Sequence, residues 1–487
     1  MRQERRDFIK CGALSVLGLA GDRALEAFPF DPNQPIPSVM RNPSAEGDLS
    51  VIGVYGAWAA SLNRNELPSF SLRNKRFARV EAWRESARKC VMARMAIPGI
   101  GSTPKVTLGK EYVHEGLHIE EISWQLPYGR PTEALVLKPL NAMGKLPAVL
   151  AFHDHGGNKY FGKSKITKTS EQQHPLLKAH QNDYYEGVAW ANELAKRGYI
   201  VLVPDAFLFA SRRVMLQDVP EHLRNGLSDN DPEDPINIKK YNEWAGQHEH
   251  VMAKSLFSAG TTWPGVFFAE DQKALDVLCS RDDVDVSRIG CGGLSGGGLR
   301  TVFMGGLDSR IKAAVCVGFM TTWKDFLLNK SFTHTWMAYV PLLPNELDFP
   351  EILGLRAPQP AFVLNDEGDD LYTPAEMRQA EHILNDVYKK AGAQRNLKLS
   401  YYPGPHKFDK KMQADAFDWL DRWLRRECAM SLQFGRSPAA SIGQSLLGEL
   451  ETAAETGEFY WRRLLSNWNA QISAMIGCVS AAIETTG

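Results

Sequence analysis

Ile289-Gly290-Cys291-Gly292-Gly293-Leu294-Ser295-Gly296-Gly297-Gly298 is the stretch on which the fold turns. An apolar strand pattern over 288–292 leads into it and a helical pattern over 296–306 leads out. In that setting Gly293-x-Ser295-x-Gly297 has the form of a nucleophile elbow. A serine at so sharp a turn is held in a strained backbone conformation, and side chains two residues to either side would strike the neighbouring strand and helix. Glycine at 293 and 297 removes both collisions. The Ser295 hydroxyl then stands above the sheet, and the Gly296 N–H, at a helix N-terminus, faces a developing oxyanion. Gly290-x-Gly292-x-x-Ser295 is a partial dinucleotide-loop pattern without its third glycine, so no nucleotide or other cofactor is expected.

Outward from this turn, strand and helix patterns alternate. Strands are predicted over 147–152, 199–203, 311–317, 360–364 and 397–402, and helices over 187–197, 268–279, 374–390 and 412–425. Continuous apolar strands separated by helices predict an α/β fold with a mostly parallel sheet covered on both faces. The β-rich runs at 118–125 and 133–137 have no helix between them and predict an antiparallel edge. Between 207 and 264 the alternation lapses into a polar insertion with a helix near 241–257, placed like a lid over the strand ends. The resulting organisation is an N-terminal arm at 28–117, a catalytic domain at 118–430 and a helical C-terminal tail at 431–487 with no nameable chemistry.

A serine needs a base, and the base an orienting carboxylate. After the 360–364 strand comes Asn365-Asp366-Glu367-Gly368-Asp369-Asp370-Leu371-Tyr372-Thr373-Pro374, and after the 397–402 strand Pro403-Gly404-Pro405-His406. Ser295, Asp370 and His406 follow in the chain order expected of such a triad. His153-Asp154-His155 and His248-Glu249-His250 have the look of ligand pairs, but HExxH spacing and a cluster of hard acidic ligands are both lacking, so no metal is expected. Seven cysteines form no CxxC, and Cys279, Cys291 and Cys316 lie in apolar segments as buried free thiols.

On Phe152-His153-Asp154-His155-Gly156-Gly157, Val203-Pro204-Asp205, Gly293-Leu294-Ser295-Gly296-Gly297, Asp370 four residues before Pro374, and Gly404-Pro405-His406, the chain resembles the α/β-hydrolase superfamily. The resemblance covers roughly 118–428 and is to its dienelactone-hydrolase-like and acetyl-xylan-esterase-like branch. It implies catalytic Ser295, Asp370 (over the neighbouring Asp369 and Asp366) and His406, with an oxyanion hole from the N–H groups of Gly296 and Gly157, Gly156 being the second choice for the latter. It also implies ester cleavage through an acyl-enzyme, with a small-molecule or carbohydrate ester such as acetylated polysaccharide as substrate. Serine replaces the cysteine of dienelactone hydrolase, so lactone specificity does not carry over. Two other readings share these motifs: a prolyl-oligopeptidase-like serine peptidase, although no propeller repeat is visible, and a catalytically inactive binding protein of the same fold.

The 487 residues are 44% hydrophobic and 23% charged, which excludes a disordered, collagenous or polytopic membrane chain. With 56 Lys+Arg against 57 Asp+Glu, the net charge of -1 supplies no field to attract nucleic acid. Glu4-Arg5-Arg6-Asp7-Phe8-Ile9-Lys10 precedes an uncharged run at 11–20, too short for the roughly 20 residues of a membrane span. That pattern resembles a twin-arginine signal peptide, expected over 1–27 with cleavage after Ala20 or Ala27. The export machinery is then a partner, and the location periplasmic or secreted. Tyr241, Trp244, Trp263, Trp323, Trp336 and Tyr339 are the aromatic residues placed to shape a pocket, most of them expected in the core.

Overall fold

Nine strands hydrogen-bond into one sheet in the order β1-β2-β3-β5-β4-β6-β7-β8-β9 in the computed structural model, which describes residues 49–62 and 67–425. The expected signal peptide at 1–27 and tail at 431–487 lie outside the described residues. The chain divides into two units at Leu49/Ser50, and all that follows concerns the unit beginning at Ser50.

The strands are β1 (Val106–His114), β2 (Leu117–Trp124), β3 (Thr132–Pro139), β4 (Leu146–Phe152), β5 (Ile200–Pro204), β6 (Val284–Leu294), β7 (Ile311–Val317), β8 (Ala361–Asp366) and β9 (Leu397–Tyr402). The pairs β1–β2, β2–β3 and β3–β5 are antiparallel, and every pair from β5 through β9 is parallel. The helices are α1 (Tyr55–Ser61), α2 (Val80–Met95), α3 (Pro175–Tyr185), α4 (Trp190–Lys196), α5 (Pro235–Ser258), α6 (Trp263–Cys279), α7 (Gly296–Leu307), α8 (Trp323–Asp325), α9 (Phe349–Gly354), α10 (Pro374–Lys390) and α11 (Lys410–Leu424). The expected architecture is therefore present, antiparallel edge included.

Both faces of the central strands are dry. In β4, Ala148, Leu150 and Phe152 join one core with α6, α7 and α10, while Val149 and Ala151 join another with α4 and α11. Alternate residues of a strand point to opposite faces, so a continuous apolar run is what such burial requires. Each Val, Leu or Phe so buried contributes about 1.5–3 kcal/mol.

The sheet begins earlier than the boundary expected at 118, because β1 lies in the segment assigned to the arm. Most of β1 is exposed, and its pairing with β2 shifts register between Leu108 and Glu111. An outer strand that is mostly exposed needs no continuous apolar pattern, which is why the sequence concealed it. The helix of the arm is bound tightly to the body. Val80, Trp83, Ala87, Val91 and Met95 form its buried stripe, Arg84 Nε donates to the Leu355 carbonyl at 2.9 Å, and the helix ends at Ala96 in the left-handed region (φ 50°).

The insertion after β5 runs through short 3-10 turns into α5, whose N-cap Asp234 accepts from the N–H groups of Ile236 and Asn237. Among the described residues, no helix is long and apolar enough to cross a membrane.

Candidate active site

Ser295 sits between β6 and α7 with φ 59° and ψ -115°, a conformation that costs a non-glycine residue on the order of 1–3 kcal/mol. The surroundings hold it there. Its N–H donates to the Val317 carbonyl at the end of β7 at 2.8 Å. A Cβ on Gly293 would come within 2.2 Å of the Phe152 carbonyl oxygen, and one on Gly297 within 2.4 Å of the same atom. One backbone oxygen of β4 therefore dictates both glycines. Gly296 is the first residue of α7, where an N–H has no intrahelical acceptor.

His406 arrives from the loop after β9. Beyond the strands the two loops stay zipped, with Glu367 N–H donating to Tyr402 O at 2.8 Å and Gly368 N–H to Gly404 O at 3.0 Å. The imidazole lies against Gly318, where a Cβ would come within 2.8 Å of His406 Cε1 and 2.9 Å of Leu294 Cδ1. Gly318 directly follows Val317, the acceptor for Ser295, so base and serine flank the same strand end. Nδ1 of His406 meets Asp369 Oδ2 at 2.6 Å, and Nε2 is buried without a protein partner.

The carboxylate on His406 thus belongs to Asp369, and the expectation of Asp370 is corrected. Asp369 is 3% exposed, and its second oxygen accepts from Leu371 N–H at 3.0 Å, an Asx-type turn that fixes its direction. Asp370 is exposed, and its contact with Lys330 is made through its backbone carbonyl. Asp366, the other alternative, ends β8 and accepts from Lys407 N–H at 3.1 Å; burial, together with the nearby Asp369 carboxylate, pushes its carboxyl up to about 7. Asp366, Asp369 and His406 offer ligand atoms within 4.8 Å of one another. A 2.6 Å separation of Asp369 and His406 is that of a shared proton, whereas a metal needs about 2 Å to each donor along separate directions.

The loop after β4 brings His155, rather than the expected Gly157, against the elbow. Gly157 N–H is given to His155 Nδ1 at 3.1 Å. The backbone N that lies against the elbow is that of His155, within 3.1 Å of where a Gly296 Cβ would be. Because Nδ1 accepts, Nε2 of His155 carries the proton, which it donates to Glu249 Oε1 of α5 at 2.7 Å. Burial raises the Glu249 carboxyl, but the Lys159 ammonium, 2.7 Å away, and His155 outweigh that and hold it well below its usual range. Thr335 Oγ1 donates to the other Glu249 oxygen at 2.6 Å, joining the insertion, the loop after β4 and the loop after β7. His153 is also committed, its Nδ1–H to the Asp154 carbonyl at 2.9 Å and its Nε2 accepting from Ala206 N–H at 3.1 Å. Of the other pair, His248 stacks on Trp244, and His250 Nδ1 bonds the Gln247 carbonyl.

A solved structure described as "a putative acetyl xylan esterase" from Bacteroides fragilis NCTC 9343 superposes with a TM-score of 0.54 at 20% identity, covering 74% of this chain and 84% of that one. The chain has the α/β-hydrolase fold. In sequence it is similar to the Bacillus subtilis (strain 168) protein named "Putative hydrolase YtaP", 29% identical over 295 residues, 60% of this chain and 83% of that protein. A "promiscuous CE15 esterase from the marine bacterial metagenome" aligns over 74% of this chain and 97% of its own at 14% identity and a TM-score of 0.48. No family model matches.

Within this fold the sequence reading missed Glu249, Lys159 and Lys165 as neighbours of the site. The histidine next to Glu249 drew attention to metal, and lysines in a loop carry no spacing signal. Of the six aromatic residues singled out, Tyr241, Trp244, Trp263 and Trp323 are buried, Tyr339 is half-buried, and Trp336 is exposed beside the Glu249 junction, its N–H 3.3 Å from Glu249 Oε2. Cys291 and Cys316 are buried free thiols, and Cys279 is free and half-buried.

Proposed function

We propose that this chain is a serine hydrolase of carboxylic esters, working through an acyl-enzyme on Ser295. The observation that carries the reading is the His406 ring. One nitrogen is committed to buried Asp369, and the other is left unpaired beside the end of β7 that also anchors Ser295. With Nδ1–H donating to the Asp369 carboxylate, the lone pair of the imidazole is on Nε2, the tautomer a general base requires.

His406 takes the Ser295 proton as Oγ attacks the ester carbonyl, and the oxygen that becomes negative is met by the N–H groups of Gly296 and His155. The imidazolium, stabilised by Asp369, returns the proton to the departing alcohol. Water then adds to the acyl-enzyme through the same histidine and releases the acid.

Carbohydrate esters are the substrate class we favour, acetylated polysaccharide first. Support comes from the name of the Bacteroides fragilis protein and from Trp336, an exposed residue whose backbone N–H meets Glu249 and whose aromatic ring suits the face of a sugar. Export of the folded protein by the twin-arginine route rests on residues 1–27 alone. Replacing Arg5 and Arg6 by lysine is expected to retain the protein in the cytoplasm, and unchanged export would refute the route.

The test of the chemistry is Ser295→Ala. Turnover of p-nitrophenyl acetate is expected to fall by about 10⁴-fold or more, and covalent labelling by a fluorophosphonate to disappear, with the circular dichroism of the fold unchanged. Retained turnover or labelling elsewhere would overturn the assignment. A panel of acetyl, feruloyl, glucuronoyl and long-chain esters then reads the specificity.

A further inference from the structure

Lys165 lies on the short turn Lys163–Lys165 behind the loop after β4, with its side chain fully buried. Its ammonium donates to the carbonyl oxygens of Asp154 and of His155, both at 2.9 Å. The Asp154 carbonyl receives a second donor, the Nδ1–H of His153, also at 2.9 Å. In a trans peptide the C=O and the N–H of one unit point in opposite directions. The peptide whose carbonyl is gripped from behind by Lys165 and His153 is therefore the one whose other end is the His155 N–H, the group that lies against Gly296.

We propose that Lys165 is a positioning residue of the oxyanion hole, holding the Asp154–His155 peptide so that its N–H faces the oxygen that becomes negative on attack by Ser295. The proposal rests on the serine-hydrolase reading above. A positive charge on the carbonyl end also draws electron density from the N–H, so the donor is strengthened as well as aimed.

The construction behind Lys165 is consistent with such a role. Asp205, which ends the Val203-Pro204-Asp205 motif, accepts from Lys163 N–H at 2.7 Å and Lys163 Nζ at 2.8 Å, and a Cβ on Gly162 would come within 2.3 Å of the same carboxylate. The motif thereby pins the turn that carries Lys165. Asp154 is held by His180 Nε2 at 3.1 Å and by the Tyr185 hydroxyl, and Gly156, with φ 49°, leaves room for the Asp154–His180 contact, since a Cβ there would come within 2.4 Å of Asp154 Oδ2 and 2.5 Å of His180 Cε1. Phe209 packs its ring against Lys165 Nζ at 4.7 Å and Lys159 Nζ at 4.4 Å, which closes the compartment to water.

The charged and titratable groups facing Lys165 are Asp154, Lys159, Asp205, His153 and His155. Burial dominates and pushes the ammonium down to about 8, with Asp154 opposing. Loss of that proton weakens the grip on the peptide. A lysine whose folded value lies below its ordinary one makes the unfolded chain the better proton binder over the interval between them, so its own contribution to stability rises with pH there.

The experiment compares wild type, Lys165→Met and Lys165→Arg on p-nitrophenyl acetate from pH 6 to 10, with circular dichroism at each pH. For Lys165→Met we expect kcat lower by about 10- to 100-fold with KM within about twofold, and slower fluorophosphonate labelling of Ser295 in proportion. Wild-type kcat is expected to fall above about pH 8, and Lys165→Arg, which stays charged, to lose that limb. If Lys165→Met does not fold, the wild-type and Lys165→Arg profiles decide. A folded Lys165→Met with kcat within twofold of wild type, or a wild-type profile flat to pH 10, would overturn the role of Lys165 and leave the serine mechanism standing. A wild-type chain that neither turns over ester nor takes the probe would overturn both.

Discussion

Two turns at the C-terminal edge of the sheet present polar groups close to the same imidazole, and they are built in opposite ways. The turn after β6 is determined by its own backbone. Ser295 is at φ 59°, and glycines on both sides are compelled by the Phe152 carbonyl. The turn after β8 has three aspartates in five residues, and what selects Asp369 is remote: His406 across the zipped loops and the Leu371 N–H that turns the carboxylate inward. Where sterics act through the backbone, residue types in a fixed spacing name the functional side chain. Where neighbouring side chains are chemically alike, only their partners distinguish them.

The sharpest way to break this contrast is to exchange the two adjacent acids. Asp369→Asn is expected to lower kcat by about 10³- to 10⁴-fold, because the amide no longer holds the imidazole in the useful tautomer or stabilises the imidazolium. Asp370→Asn is expected to stay within about twofold of wild type, since that residue is exposed and meets Lys330 through its backbone carbonyl. Steady-state kinetics with p-nitrophenyl acetate reads both, and equal losses would show that the sequence-based choice was as good as the geometric one.

A smaller effect is expected at the elbow. Gly293→Ala forces β4 and β6 apart at the Phe152 carbonyl, at a cost of about 1–3 kcal/mol. Thermal melting is expected to fall by roughly 1–4 °C. An unchanged melting temperature would mean that the turn is not governed by that contact.

The smallest concerns the acid that stays out of the triad. Asp366 is held near 7 by burial, so between its ordinary value near 4 and 7 the folded chain keeps a proton that the unfolded chain has lost. Its contribution to stability is fully present at low pH and is lost as pH rises through about 7. Melting temperatures of wild type and Asp366→Asn are expected to converge at low pH and to separate towards neutrality, with the variant the higher. Parallel profiles would show that Asp366 ionises freely.

Most of the architecture was legible because it is carried by periodicity. The strands over 311–317 and 397–402 and the helix over 374–390 have the bounds that their apolar patterns indicate. β1 was not legible, since an exposed outer strand has no burial to record in its residues, and α3 escaped because its stripe of Leu177, His180, Gln181 and Tyr185 buries polar groups. At the site, Ser295 and His406 stood out, as did the part of Gly296. The donor we propose beside Gly296, the His155 N–H, did not, because a backbone N–H is supplied by any residue and the glycines of His155-Gly156-Gly157 drew the reading two residues further along.

Taken alone, the sequence of this protein determined the α/β-hydrolase fold, the position of the turn at Ser295 and the order of Ser295 and His406 along the chain. These follow from local sterics and from the period of burial, both written into consecutive residues. Tertiary structure alone put Asp369 rather than Asp370 on His406 and His155 rather than Gly157 against the elbow, and brought Glu249 and Lys165 to the loop after β4. Such choices depend on which distant atoms meet, and hydrogen-bond direction is a property of the assembled fold that no spacing of residue types encodes.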